Sequence, residues 1–189
     1  VGVGDDIGLD KALIAEYGMV IHAFDPTPST IEWLSENKPL IPPTFHFHPW
    51  AITDRDGTLT LYPRITKRGQ KSRMMYTLVP EKGSIDAGIE VPAFTIKSIM
   101  SKLGHHHIDF LKMDIEGAEY AVLEQMLDCT IRPKQILVEF HHRFPGIGMR
   151  KTAYLIEKLR IADYRIFAIS ETGREISFLL DAGSVSRAV

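Results

Sequence analysis

Two groups of acids and histidines stand where apolar runs end. In "LKMDIEGAEY", Asp114 and Glu116 follow an apolar run and precede a glycine; in "VEFHH", Glu139, His141 and His142 close another. A carboxylate is costly to bury without a partner, so an acid at the end of a buried strand implies a neighbour or a reaction. An unperturbed histidine titrates near neutral pH, and beside carboxylates it suits general-base removal of a hydroxyl proton. Since side chains alternate along a strand, Asp114 and Glu116 are expected to share one face. The plainer reading is structural, with Glu116 capping the next helix, Glu139 pairing with a lysine and one histidine serving as a polar strand end.

A further set lies at the start of the chain. The glycines of "GVGDDIG" let a backbone approach a ligand, and the helix that follows would supply free N–H groups. Asp25 ends the next apolar run, twenty-one residues after Gly4, where an acid can accept hydrogen bonds from both hydroxyls of a ribose. The pair indicates a nucleoside-containing cofactor. It leaves a nicotinamide dinucleotide and S-adenosylmethionine both open.

These residues need strands whose ends meet. Leu9, Ala12, Leu13 and Tyr17 recur at helical spacing, with Asp5 or Asp6 as N-cap and Gly18 as stop. "MVIHAFD" is a strand, "PSTIEWLSEN" a helix and "PTFHFHPWAIT" a strand, after which "DRDG" before the alternating "TLTLYPRI" signals a hairpin. Residues 66–91 are irregular and are expected to form an insertion or lid. "IEVPAFTI", "KSIMSKLG" and "IDFLKMDI" then alternate as strand, helix, strand. In "GAEYAVLEQML", Ala118, Ala121, Val122 and Met126 mark the inward face of a helix. "KQILVEF" has the unbroken apolar core of a central strand, "KTAYLIEKLR" a helix with Leu155, Ile156 and Leu159 inward, and "YRIFAIS" with "EISFLL" a closing hairpin. This alternation predicts an α/β fold with a mostly parallel sheet, helices on both faces and an antiparallel edge.

"FLKMDIEGAEYAVLE", with "VIHAFDPTPSTIEWL", "GVGDDIGLDKAL" and "ILVEFHH" in that order, resembles the FkbM family of S-adenosylmethionine-dependent methyltransferases from about Gly2 to His142. The resemblance implies a Rossmann-like class I methyltransferase fold, seven strands with the last antiparallel, and methyl transfer to an oxygen of a sugar or polyketide-like alcohol. It places the family's glycine loop on Gly2, Gly4 and Gly8, its ribose-binding acid on Asp25, and its strand-four acids on Asp114 and Glu116. Asp5 and Asp6 stand where many methyltransferases carry another glycine, which puts Asp6 among the cofactor-binding candidates at the methionine end. By the same analogy Pro26, Thr27, Trp50, Ala51 and Ile52 are candidate adenine contacts, though Trp50 is equally suited to a core. His141 or His142 is the expected base, with Asp114 orienting the acceptor or the methionine portion. Mg²⁺ held by Asp114, Glu116 and a histidine stays open as an alternative, although no spacing demands a metal. S-adenosyl-L-methionine is the expected cofactor, S-adenosyl-L-homocysteine the product, and a small molecule or glycan the acceptor. The rivals are an NAD(P)-dependent oxidoreductase and a cofactor-binding scaffold without activity.

Composition bounds these readings. The chain has 189 residues, 44% hydrophobic and 24% charged, with a net charge of -2; it fits one globular domain and offers no general attraction to nucleic acid. One cysteine, Cys129, cannot form an internal disulfide and agrees with a reducing, cytoplasmic compartment. No apolar run approaches the roughly 18 to 20 residues of a membrane span. The opening Val1-Gly2-Val3-Gly4 looks like the end of a strand, so the first strand and any targeting segment are expected to begin upstream. "HHH" at 105–107 suits a solvated turn at a helix end. His46 and His48 would share a strand face without an evident third ligand for zinc. "TKRGQKSR", with Lys67, Arg68, Lys71 and Arg73, suits a solvated loop, an anionic-acceptor contact or a lid over Met74 and Met75.

Overall fold

A computed structural model describes residues 1–66, 68–77 and 80–181, apart from the side chains of 73–75. In chain order the elements are α1 (Gly8–Tyr17), β1 (Ile21–Phe24), α2 (Pro28–Glu36), β2 (Phe45–His48), β3 (Ala51–Ile52), β4 (Gly57–Ile65), β5 (Lys71–Thr77) and β6 (Ile89–Phe94). They continue with α3 (Ile96–Leu103), β7 (Phe110–Met113), α4 (Glu119–Asp128), β8 (Gln135–Glu139), α5 (Met149–Ile161), β9 (Tyr164–Ile169) and β10 (Glu175–Leu180). The chain divides into two compact units, Val1–Ile52 with Gly57–Phe94 and Thr53–Asp56 with Thr95–Val189.

The fold is mixed α/β, but its described strands form three sheets rather than one mostly parallel seven-stranded sheet. In the first unit β1 and β2 are parallel, with His22 opposite His46 and Phe24 opposite His48. A second sheet has the order β3-β6-β4-β5. Its β4 pairs antiparallel with both β6 and β5. For β4 and β5 the physical reason is connection length: a parallel pair needs a crossover of roughly a dozen residues or more, whereas a short loop joins these two. The expected hairpin at Asp56-Gly57 does not form, because β6 lies between β3 and β4, and Ala93 pairs with both Ala51 and Gly57. In the second unit the Asp56 carboxylate instead accepts hydrogen bonds from Thr95 N and Ser98 Oγ at the start of α3.

Ile7, Ala23, Leu34 and Phe45 form one core of the first unit, and Ala51, Leu61, Val91 and Ala93 another. The expected inward face of α1 is overturned. Leu9 and Tyr17 are exposed, while Ile14 packs against the core set by Ile7. Residues 71–77 of the expected insertion are a sheet strand. Arg68 and Lys71 are exposed; Lys67 and the side chains of Arg73, Met74 and Met75 lie outside the described residues.

The second unit carries the sheet β7-β8-β10-β9, in which β7 and β8 are parallel and β10 is antiparallel to both its neighbours. Its core includes Met113, Ile136, Val138, Phe140, Leu155, Leu159 and Phe178. The face of α4 is shifted from expectation: Ala121 is exposed, and the buried stripe runs through Glu119, Val122, Leu123 and Met126. That shift puts a carboxylate in the core. Among the described residues, no helix is long and apolar enough to cross a membrane.

Candidate active site

Within the first unit the glycine loop is fastened to the end of β1. Gly2 N donates to Phe24 O at 3.0 Å, and Gly2 and Gly4 adopt φ of 75° and 63°, left-handed values that favour glycine. This turns the N–H groups of Val3 and Gly4 onto Asp25 Oδ2, at 3.0 and 3.1 Å. Asp25 Oδ1 accepts from Thr27 N at 2.9 Å and Thr27 Oγ1 at 2.7 Å. Four protein donors therefore fill the roughly four lone-pair sites of the buried carboxylate. Gly8 N donates to Oδ1 of the exposed Asp6 at 2.7 Å, but the N-cap of α1 is Ile7 rather than Asp5 or Asp6.

The other candidates of this unit differ in what they offer. Ala51 and Ile52 are buried, Ala51 in the core beside Ala93. Half-buried Trp50 ends a row of rings, 4.7 Å from His48 and edge-on to Phe94 at 5.2 Å. The parallel register also supplies the third histidine that the sequence did not reveal beside His46 and His48. His22 Nδ1 lies 3.0 Å from His48 Nε2, and its ring 5.0 Å from that of His46. No group of three or more His, Cys, Asp or Glu among the described residues is arranged to hold a metal ion.

The second unit brings its acids and His141 together. β7 ends at Met113, and the chain turns through Glu116 and Gly117, with φ of 53° and 102°. A non-glycine residue in this region is uncommon and strained, as at many functional sites. The turn, rather than strand alternation, aims Asp114 and Glu116 at one place: Asp114 Oδ1 lies 3.7 Å and Glu116 Oε2 3.8 Å from His141 Nε2. The opposite ring nitrogen, Nδ1, lies 3.1 Å from Glu119 Oε1, which also accepts His141 N at 2.9 Å. Glu119 Oε2 accepts Gly117 N at 2.8 Å. Thus one fully buried carboxylate ties the β7–α4 turn to the residues after β8.

Burial opposes a charge on His141, but the hydrogen bond and charge of Glu119, then the charges of Glu116 and Asp114, outweigh it and raise the histidine above its ordinary value. Glu139 is paired with Arg174 at 3.0 Å, not with a lysine. Burial and then the charge of Asp114 push its carboxyl up against the opposing effect of Arg174. His142 is less committed, for its Nδ1 is buried without a hydrogen-bond partner among the described residues. His105, His106 and His107 occupy an exposed or half-exposed turn, with His107 Nε2 3.3 Å from Asp109.

Glu119 is the residue that the sequence reading missed. A signal was present, since Glu119, Val122, Leu123 and Met126 follow the i, i+3, i+4, i+7 spacing of a core stripe and are all 0% exposed. A charge at such a position needs a partner. Gly117 also acquires a role, because a Cβ there would lie 3.1 Å from Ile147 Cδ1 in a backbone conformation that side chains rarely adopt. Gly117→Ala is expected to cost about 1–3 kcal/mol and lower the melting temperature by several degrees in a thermal scan; an unchanged melting temperature would refute the strain.

Known proteins resemble this chain over most of its length. The chain is 27% identical over 177 residues to probable methyltransferase-like protein 24 of Homo sapiens, covering 88% of this chain and 40% of that protein. The Rattus norvegicus protein of the same name matches at 27% identity, with 88% and 41% covered. The chain thus spans about two fifths of the length of these curated relatives. No solved structure matches at a significant level. A family model, the methyltransferase FkbM domain, matches residues 3–166, and the chain belongs to that family.

Proposed function

We propose that the chain is an S-adenosyl-L-methionine-dependent methyltransferase acting on a hydroxyl of a small molecule or glycan. The observation that carries this reading is His141, held through Nδ1 by a buried carboxylate while Nε2 faces Asp114 and Glu116. The strand order β7-β8-β10-β9, parallel and then antiparallel, supports a Rossmann-like class I methyltransferase fold.

The residues of the first unit fit a nucleoside donor. Asp25 and the loop of Gly2 and Gly4 would hold the ribose, since Thr27 Oγ1 has a second partner in Thr30 Oγ1 at 3.0 Å and can release Asp25 Oδ1 to a ribose hydroxyl. Pro26 and Trp50 would border the adenine, and Asp6 and Gly8 the methionine end. When bound, the donor supplies a methyl group on a positively charged sulfur, which keeps the electron pair of the broken carbon–sulfur bond. The protein's share is alignment, exclusion of water and removal of a proton. His141 Nε2 takes the hydroxyl proton as the acceptor oxygen becomes bonded to carbon. Asp114 and Glu116 orient the acceptor and stabilise the imidazolium that results.

Isothermal titration with S-adenosylhomocysteine beside NAD tests the donor class. Binding of the former alone is expected. Binding of NAD alone would overturn the reading in favour of an oxidoreductase, and donor binding without turnover across a broad panel of alcohols would favour a scaffold.

A further inference from the structure

We infer that Glu119 is a positioning residue that fixes the tautomer of His141, keeping the proton on Nδ1 and the lone pair on Nε2. The inference rests on the proposed role of His141 for its catalytic meaning, but on hydrogen-bond geometry for its physical content. An ionised carboxylate only accepts hydrogen bonds. Glu119 accepts Gly117 N on one oxygen and His141 N on the other, so both of its oxygens act as acceptors. The remaining neighbour of Oε1, His141 Nδ1 at 3.1 Å, must then be a donor. With Nδ1 protonated, the neutral ring has its lone pair on Nε2.

That orientation is electrostatically costly by itself, which explains why a fixed partner is needed. Nε2 faces Asp114 and Glu116 at 3.7 and 3.8 Å, and a lone pair there is repelled by both carboxylates. A free imidazole would turn its N–H toward them. Glu119 prevents this, because reversing the tautomer would set a lone pair against its own buried charge at a shorter distance. Glu139 adds negative charge nearby, offset by its pairing with Arg174. Glu119 first, then Glu116 and Asp114, raise the affinity of His141 for a proton against the effect of burial, so Glu119 sets both which nitrogen acts and how strong a base it is. Its carboxylate never touches the acceptor; it works through the ring.

The test is a two-bond proton–nitrogen correlation spectrum of the whole chain labelled with ¹⁵N-histidine, with His141 assigned by its absence in His141→Asn. Above its titration midpoint, the parent His141 is expected to show a protonated Nδ1 and a bare Nε2. Glu119→Gln should lose this preference and lower the midpoint, whereas Glu119→Asp, which keeps the charge, should retain it in part. With an active acceptor, Glu119→Gln should lower kcat by roughly tenfold or more while the KM for S-adenosylmethionine changes less than about twofold, and the acid limb of the rate profile should move to lower pH. A parent spectrum with Nε2 protonated in the neutral ring would overturn the inference whether or not the variants fold, as would an unaltered His141 in Glu119→Gln. Full turnover in His141→Asn would instead sink the base assignment, and the parent spectrum would still decide the role of Glu119.

Discussion

His141→Asn is expected to lower methyl transfer by about 10²- to 10⁴-fold, the usual contribution of a positioned general base, without weakening S-adenosylhomocysteine binding. Asparagine suits the test because its amide nitrogen stands near the place of Nδ1 and can still donate to Glu119 Oε1, which holds that ring nitrogen at 3.1 Å. The buried carboxylate keeps a partner, so loss of activity is not loss of fold. What disappears is Nε2, the atom facing Asp114 and Glu116. The parent rate should rise with pH through the titration of His141, because only the neutral ring accepts a proton. Since its neighbours raise that titration above the ordinary histidine value, the rise should be centred on the alkaline side of about 6.5. A pH-independent rate, or an active His141→Asn protein, would remove His141 from the mechanism. His142→Ala supplies the contrast. Its Nδ1 has no hydrogen-bond partner among the described residues, and its replacement is expected to change turnover by less than about threefold.

Asp25→Asn should weaken S-adenosylhomocysteine binding by at least about tenfold in the titration. An asparagine has one oxygen where the aspartate has two. If that oxygen accepts Val3 N and Gly4 N, the amide nitrogen meets Thr27 N, a donor against a donor; turned round, it meets the loop. Either arrangement leaves buried donors without an acceptor, at about 1–3 kcal/mol each. The glycine loop would come away from the end of β1, and the ribose would lose its acceptor in the same substitution. Equal affinity in Asp25→Asn and the parent would show that the ribose is held elsewhere. A protein that melts earlier yet binds normally would make Asp25 a fastener of the loop alone.

Elements of this fold were legible wherever local pattern alone sets the structure. The strand ends carrying Asp25, Asp114 and His141, the helix stopped by Gly104 with φ of 69° and the β9–β10 hairpin follow from apolar runs, glycine and short connections. Pairing between distant strands was not legible. Nothing local in "DRDGTLTL" indicates that β6, a distant stretch of the chain, will lie between β3 and β4, so the expected hairpin there was wrong. The inward face of α1 failed for a related reason: helical periodicity shows that apolar residues share a stripe, but which stripe is covered depends on its neighbours.

The residue types thus determined, without coordinates, that carboxylates and histidines stand where apolar runs end and that glycines open the chain. Only the tertiary structure decided which of them meet. Glu116 reaches His141 because the backbone turns left-handed at φ of 53° after β7. Glu119 reaches it because α4 is rotated to place that acid in the core. His22 joins His46 and His48 because β1 and β2 pair in one particular register. Each juxtaposition follows from contacts between elements far apart in the chain, and such contacts are set by the joint packing of many side chains rather than by any short stretch of sequence.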